Sequence, residues 1–420
     1  MAEAMTPRER VLMAFEHREA DRVPIDFCAT HNSGVNVQAY NRLKNLVGLD
    51  TPTYMRDPIP MLASPDLEEG LELLKMMGGD LLPLPRHNNF GVPADDWREW
   101  KLKDGSTCLV PGGFQPVLRE DGTREMALLG GLALLTMPAR GHHFNLVSRP
   151  LGMIEDLAQL ENIYPLLRQS GAFSISDEEI DILKDSASKM RTETDYALVA
   201  TGGPLFFSLY QVGQELFGYE KFFTFMVSEP DLIHSWLEFL TATCIERLDK
   251  YLAALGPFID VILMGDDYGF QNAPQMSPEM FRALFKPYLV RVCRAVKEFA
   301  PAIKILLHSC GSVAPYIPDF IDAGIDALNP VQITAAGMDP VWLKKEFGRE
   351  ITFWGGGVRT QSTLVSEPVA AVAAEVRELI DIFKEGGGYI FCPIHDIQEE
   401  VPPEKILAIY KTAQAHRFYE

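Results

Sequence analysis

Ile303-Lys304-Ile305-Leu306-Leu307-His308-Ser309-Cys310-Gly311 is a largely apolar run that stops at a polar, glycine-ended turn, and a helical pattern, Val313–Ala323, follows it. An apolar run of strand length followed directly by a helix reads as one β/α unit. Residues two apart in an extended strand share a face, so His308 and Cys310 present an imidazole and a thiolate to one point. A second thiol, Cys392, closes another apolar run, Gly388-Tyr389-Ile390-Phe391. Two thiolates and an imidazole suit zinc, and three protein ligands leave a coordination place open for water or substrate, as in a catalytic site.

Outward from this unit the pattern repeats. Ile259–Met264 precedes Pro278–Phe299, Ile325–Asn329 precedes Pro340–Phe347, Ile351–Gly355 precedes Pro368–Phe383, and Tyr389–Cys392 precedes Pro403–His416. Five strand–helix units in a row predict a parallel sheet with crossover helices. Upstream, Arg22–Phe27, Leu81–Leu84 and Ala197–Ala200 read as further strands beside helical segments at Arg8–His17, Leu67–Met77 and Lys221–Ala253. Eight such units predict an α/β TIM (β/α)8 barrel, with its chemistry at the C-terminal strand ends, where His308, Cys310 and Cys392 fall. A doubly wound sheet is the competing arrangement, but no G-x-G-x-x-G run follows the first strand.

Residues 1–420 are expected to form a single barrel domain interrupted at about 88–150. Trp97–Ser106 and Leu118–Thr123 each read there as a hairpin with an Asp-Gly turn. This inserted β-meander follows an early strand and so lies near the barrel mouth, as a lid, a substrate-selecting element or a rim decoration.

The net charge of −20 disfavours nucleic acid and anionic membrane as partners. No stretch approaches the roughly 20 apolar residues of a membrane span, and the charged N-terminus lacks a signal-type apolar block. Six scattered cysteines without paired spacing argue for a reducing compartment rather than a disulfide framework, which makes a cytoplasmic location the expectation. Cys244 and Cys293 sit in amphipathic helical patterns and are read as core.

Other residues at predicted strand ends are candidates for chemistry. Asp266 and Asp267, in Met264-Gly265-Asp266-Asp267-Tyr268-Gly269, supply a fourth ligand, a partner for His308 or a general acid/base, or else a helix cap. His395-Asp396 follows Cys392 closely enough to orient or protonate a substrate, or is a rim histidine. Tyr210 is a cavity wall or a catalytic hydroxyl, and Arg86-His87 a carboxylate anchor or a solvated pair. Neither a nucleophile elbow nor a P-loop ending is present. A thiolate-rich open zinc suits activation of an alcohol, ether or thiol, and making a bound thiol a nucleophile or an ether oxygen a better leaving group both lead to methyl or other alkyl transfer.

With these stretches the chain resembles the uroporphyrinogen decarboxylase superfamily. The resemblance is carried by Thr6-Pro7-Arg8-Glu9-Arg10-Val11 with Asp21-Arg22-Val23-Pro24, by Gly265-Asp266-Asp267 through Lys286-Pro287-Tyr288, by His308-Ser309-Cys310-Gly311, by Gly355–Val358 and by Gly386–His395. It implies a TIM barrel and one of two activities. Decarboxylases of the superfamily carry an arginine-rich motif after the first strand to hold an acidic tetrapyrrole, whereas Phe27-Cys28-Ala29-Thr30-His31-Asn32-Ser33-Gly34 has no arginine. Tyr210 and His395 match decarboxylase positions, so cofactor-free decarboxylation of a porphyrinogen or other acid is the alternative. The corrinoid (cobalamin)-dependent methyltransferase branch is similar in its H-x-C and distant Cys, which map onto His308, Cys310 and Cys392. That branch implies zinc, a small methyl donor or thiol acceptor, and a partner protein carrying the corrinoid. The insertion makes this chain longer than the thiol-methylating type. A non-catalytic corrinoid carrier is disfavoured, since no D-x-H-x-x-G corrinoid-ligating motif occurs.

Overall fold

A computed structural model describes residues 5–65, 71–89, 92–128, 133–141, 143–170, 173–201 and 208–419. Its centre is a curled parallel sheet. In chain order the segment 23–27 (β1) is followed by Leu81–Pro85 (β2), Ala197–Thr201 (β3), Val261–Gly265 (β4), Lys304–His308 (β5), Ala327–Asn329 (β6), Thr352–Trp354 (β7) and Tyr389–Ile390 (β8). Strands β2 to β8 pair sequentially and in parallel as a seven-stranded sheet. The β1 segment fills the remaining gap. The Asp26 amide donates to Phe391 O at 2.8 Å, the Phe391 amide to Pro24 O at 2.9 Å, and the Asp80 amide to Ile25 O at 2.8 Å. β1 thus joins the β8 side by two bonds and the β2 side by one, and Pro24 has no N–H to extend the pairing with β8. The expected TIM barrel is the observed fold.

Alternate residues of the strands fill the interior, among them Leu81, Val199, Val261, Leu306, Trp354 and Ile390. Val11, Ala14 and Phe15 of the helix Pro7–Phe15 join that cluster and plug the end where the strands begin. A capping box starts this helix, with the Thr6 side chain accepting from the Glu9 amide and Glu9 reaching back to the Thr6 amide. Its buried Arg10 donates to Asp21 at 2.6 Å and to Asp80 at 2.6 Å, while Arg22 donates to Asp80 at 2.7 Å. Arg8 and Arg191 both donate to Asp260, at 2.7 and 2.6 Å.

Three expected helices are shorter or divided, among them Pro278–Phe299, which is the two helices Pro278–Leu284 and Lys286–Phe299. The run expected over Lys221–Ala253 is two helices, Tyr219–Ser228 and Pro230–Leu255, because Pro230 cannot continue the first and instead starts the second. Of the helix expected over Leu67–Met77, Glu72–Met77 is helical and residues 67–70 lie outside the described residues.

After β2 the chain leaves the barrel into antiparallel structure. Arg98–Lys101 pairs with Thr107–Val110 around Asp104-Gly105, and Val117–Leu118 pairs with Arg124–Leu128 around Asp121-Gly122. Both turn glycines have positive φ, 87° and 83°, as the Asp-Gly signals require. Ala133–Met137 and Asn145–Leu146 extend the second pair to four strands. Phe114, Met126, Met137 and Phe144 form a small core of its own, joined by Met55 and Met61 from before β2. Among the described residues no helix is long and apolar enough to cross a membrane.

Candidate metal centre

Register sets the site. Gly265 at the end of β4 pairs with His308 at the end of β5, and the Asp266 amide donates to His308 O at 2.9 Å. The two chains therefore leave the sheet side by side, and the Asp267 carboxylate comes to lie beside Cys310. The Cys310 amide donates to Asp267 Oδ1 at 2.8 Å. His308 Nε2 is 3.3 Å from the same oxygen and 3.4 Å from Cys310 Sγ. Among the described residues Asp267, His308 and Cys310 form a group whose ligand atoms all lie within 4.8 Å of one another. The turn that makes this approach needs glycine on both sides. A Cβ on Gly311, whose φ is +87°, would stand 2.4 Å from the Gly269 backbone.

The tautomer of His308 is fixed from outside the cluster. Asn329, which ends β6, donates from Nδ2 to Trp354 O at 3.0 Å, so its Oδ1 accepts the His308 Nδ1–H at 2.9 Å. Nε2 thereby faces the cluster, and once it gives up its proton to a metal its lone pair points there, the arrangement typical of metal-ligating histidines. Burial lowers the His308 pKa, but the Cys310 thiolate and Asp267 outweigh it and lift the imidazole well above its usual range. Burial likewise raises Asp267 and Cys310, and His308 reverses both, leaving carboxylate and thiol below their ordinary values. Without a cation, one proton on imidazole balances two anions, a role a divalent ion fills more strongly.

Other expected site residues are distributed unevenly. His395 reaches the Cys310 sulfur, and Asp396 holds its Nδ1. Burial lowers its pKa, yet Asp396 and Cys310 lift it to about 10. Asp266 turns away from its neighbour. It accepts Ser208 Oγ at 2.5 Å, the amides of Leu209, Tyr210 and Gln211 at 2.8 Å each, and the Tyr268 hydroxyl at 2.9 Å. That carboxyl ties down the start of the helix Gln211–Phe217, and burial raises its pKa above the ordinary value. Tyr210 is fully buried, stacked on Tyr268 at 5.2 Å with its hydroxyl donating to Gln275 Oε1 at 3.1 Å. Arg86 is committed to Glu179, donating from Nε at 3.0 Å and from a terminal nitrogen at 2.6 Å.

Cys392 falls outside the cluster. It is fully buried in the barrel interior with Ile390, Trp354 and Leu306. Burial and the nearby Asp26 push its thiol well above the ordinary range. Sequence parity correctly turns Cys392 inward with Ile390, but parity gives a face and not a height along the barrel. Asn329 is the supporting residue that sequence reading left without a role, and its position at a predicted strand end was the available signal.

The uroporphyrinogen decarboxylase (URO-D) sequence pattern matches residues 145–416. Among curated proteins the chain is similar to uroporphyrinogen decarboxylase of Azoarcus sp., 24% identical over 248 residues, 57% of this chain and 64% of that protein. It is similar to the Schizosaccharomyces pombe enzyme of the same name at 23% over 315 residues, 70% of this chain and 80% of that one. The first two bacterial relatives are thus matched over only 64% and 66% of their own length. Among solved structures a methyltransferase from Methanosarcina mazei superposes with a TM-score of 0.57 at 19% identity, covering 98% of this chain and 99% of that one.

Proposed function

We propose, from the premise that the chain belongs to the uroporphyrinogen decarboxylase family, that it is a zinc-dependent methyltransferase acting between a small O- or S-methyl substrate and a corrinoid held by a partner protein. The observation that carries this is the Asp267–His308–Cys310 cluster with the His308 Nε2 directed inward. The donor set fits the metal: one thiolate, one imidazole with a fixed tautomer, one carboxylate, and a side open to the mouth. Asp267, His308 and Cys310 would hold the ion, with His395 the donor next in reach. When bound, zinc would supply Lewis acidity to a thiol or ether oxygen. The protein residues would hold the reacting group near the strand ends, beside the cleft that β1, β2 and β3 bound.

A cofactor-free decarboxylase is favoured by one observation, the names of the curated relatives. Against it stand the loop after β1, which offers no arginine for a polyanionic substrate, and Tyr210, whose hydroxyl is buried and engaged. Elemental analysis of protein purified without added metal tests the proposal. The expected result is about one zinc per chain in the wild type and its loss in Cys310→Ala. A wild type without stoichiometric zinc, or carbon dioxide release from an acid substrate that survives chelation, sinks it.

A further inference from the structure

The metal cluster is one side of the mouth, and the side built by β1, β2 and β3 carries a pair that its assignment does not use. Cys28, His31, Asp57, Pro83, Pro85 and Thr201 are among the residues bounding a cleft of about 560 Å³, counting the space open to solvent. His31 stands in the loop after β1, and Asp57 in the excursion that precedes β2. The ring Nε2–H of His31 donates to Asp57 Oδ2 at 2.5 Å. Its Nδ1 makes no hydrogen bond among the described residues, and the side chain is 41% exposed toward the cleft.

We propose that His31, oriented by Asp57, is the proton donor to the leaving oxygen when a methyl ether bound in this cleft gives up its methyl group. The inference rests on the methyl-transfer reading above and specifies its substrate as an ether. In the step the O–CH3 bond breaks, both of its electrons stay on oxygen, and the methyl passes as a formal cation to the reduced corrinoid. The proton on His31 Nδ1 goes to the oxygen, so a neutral alcohol or phenol leaves and His31 recovers a proton from solvent. The carboxylate behind the imidazole stabilises the charged form in which Nδ1 carries that proton. Partial burial and the nearby His308 act against protonation, while Asp57 and Asp396 favour it, and the balance lifts the His31 pKa above its ordinary value. Arg56 and Arg86 also line the cleft. Arg56 packs on the Tyr54 and Trp97 rings at 4.9 and 5.2 Å, and Arg86 is paired with Glu179. The bland alternative is that the His31–Asp57 contact only ties two loops together.

A series of methyl phenyl ethers, whose phenols span several units of acidity, separates these readings. Single-turnover demethylation is followed with zinc-loaded protein and a chemically reduced free corrinoid as acceptor. The wild type should depend weakly on phenol acidity, because the oxygen leaves protonated. His31→Gln should lose on the order of 10²-fold with anisole, less than about 5-fold with 4-nitroanisole, and keep its zinc. Asp57→Asn should show the same slope with a smaller loss, and it carries the test if His31→Gln does not fold. An active wild type with variants that lose rate equally across the series, or not at all, overturns the proton donor and leaves the methyltransferase standing. A zinc-loaded wild type inert toward every ether and thioether overturns both.

Discussion

Both ends of this barrel bury aspartates, and their partners separate scaffold from chemistry. Where the strands begin, Asp80 takes Arg10 and Arg22, and Asp260 takes Arg8 and Arg191. Each of these carboxylates meets permanently charged arginines in fixed geometry, which leaves it nothing to exchange. Where the strands end, Asp267 faces an imidazole and a thiol, both groups that trade protons or bind metals. A buried acid paired with arginine holds the fold. A half-buried acid paired with titratable groups, as Asp267 is, stores an electrostatic imbalance that a ligand can relieve.

The largest test of this contrast is a stability measurement. Asp80→Ala leaves two arginine side chains without their shared carboxylate, one of them fully buried, and should cost about 3–5 kcal/mol in denaturant unfolding. Asp267→Ala removes a carboxylate that crowds a thiolate, and should change metal-free stability by no more than about 1 kcal/mol while reducing zinc retention. The contrast breaks if the two variants lose comparable stability.

Much of this division was legible in the sequence. Strand–helix alternation gave the barrel, and strand ends gave His308 and Cys310, because parity and chain direction are local properties. Which of Asp266 and Asp267 turns toward the thiol was not legible. Adjacent residues on a loop diverge according to the turn, and here Ser208 and the following amides capture Asp266 first. The His31–Asp57 pair joins two loops across 26 positions with no periodic signal between them. The depth of Cys392 was hidden for another reason. Ladder register counts across strands, but strands tilt to the barrel axis by roughly 36°, so equal register does not mean equal height.

That difference in depth predicts a smaller effect. Cys392→Ala removes a sulfur from a packed interior and should cost about 1–2 kcal/mol, with zinc content unchanged. Cys310→Ala, at the half-buried rim, should show the reverse, losing zinc with little loss of metal-free stability. Zinc lost from the Cys392 variant would bring that thiol into the cluster and contradict the depth seen here.

The smallest expected effect concerns how the two ends answer pH. At the arginine end, burial raises the Asp21 pKa but Arg10 outweighs it, so its folded value lies below the ordinary 3.8. Its contribution is complete above that ordinary value and is lost as pH falls through the folded one. At the mouth the sign is opposite. Burial, with Asp266 and Asp267 adding repulsion, raises Glu215 from 4.5 to about 7, although Gln211 and Arg149 pull it down. The folded protein then holds more protons than the unfolded chain between these values, so Glu215 costs stability progressively as pH rises from about 4.5 to 7. Glu215→Gln should therefore gain on the order of 1 kcal/mol over the wild type at pH 8 and nothing at pH 4, read as the shift in denaturant midpoint. Zinc bound at Asp267 would neutralise part of the repulsion, so loading the metal should shrink the gain. A gain that is independent of pH would place Glu215 in packing rather than in the charge balance of the mouth.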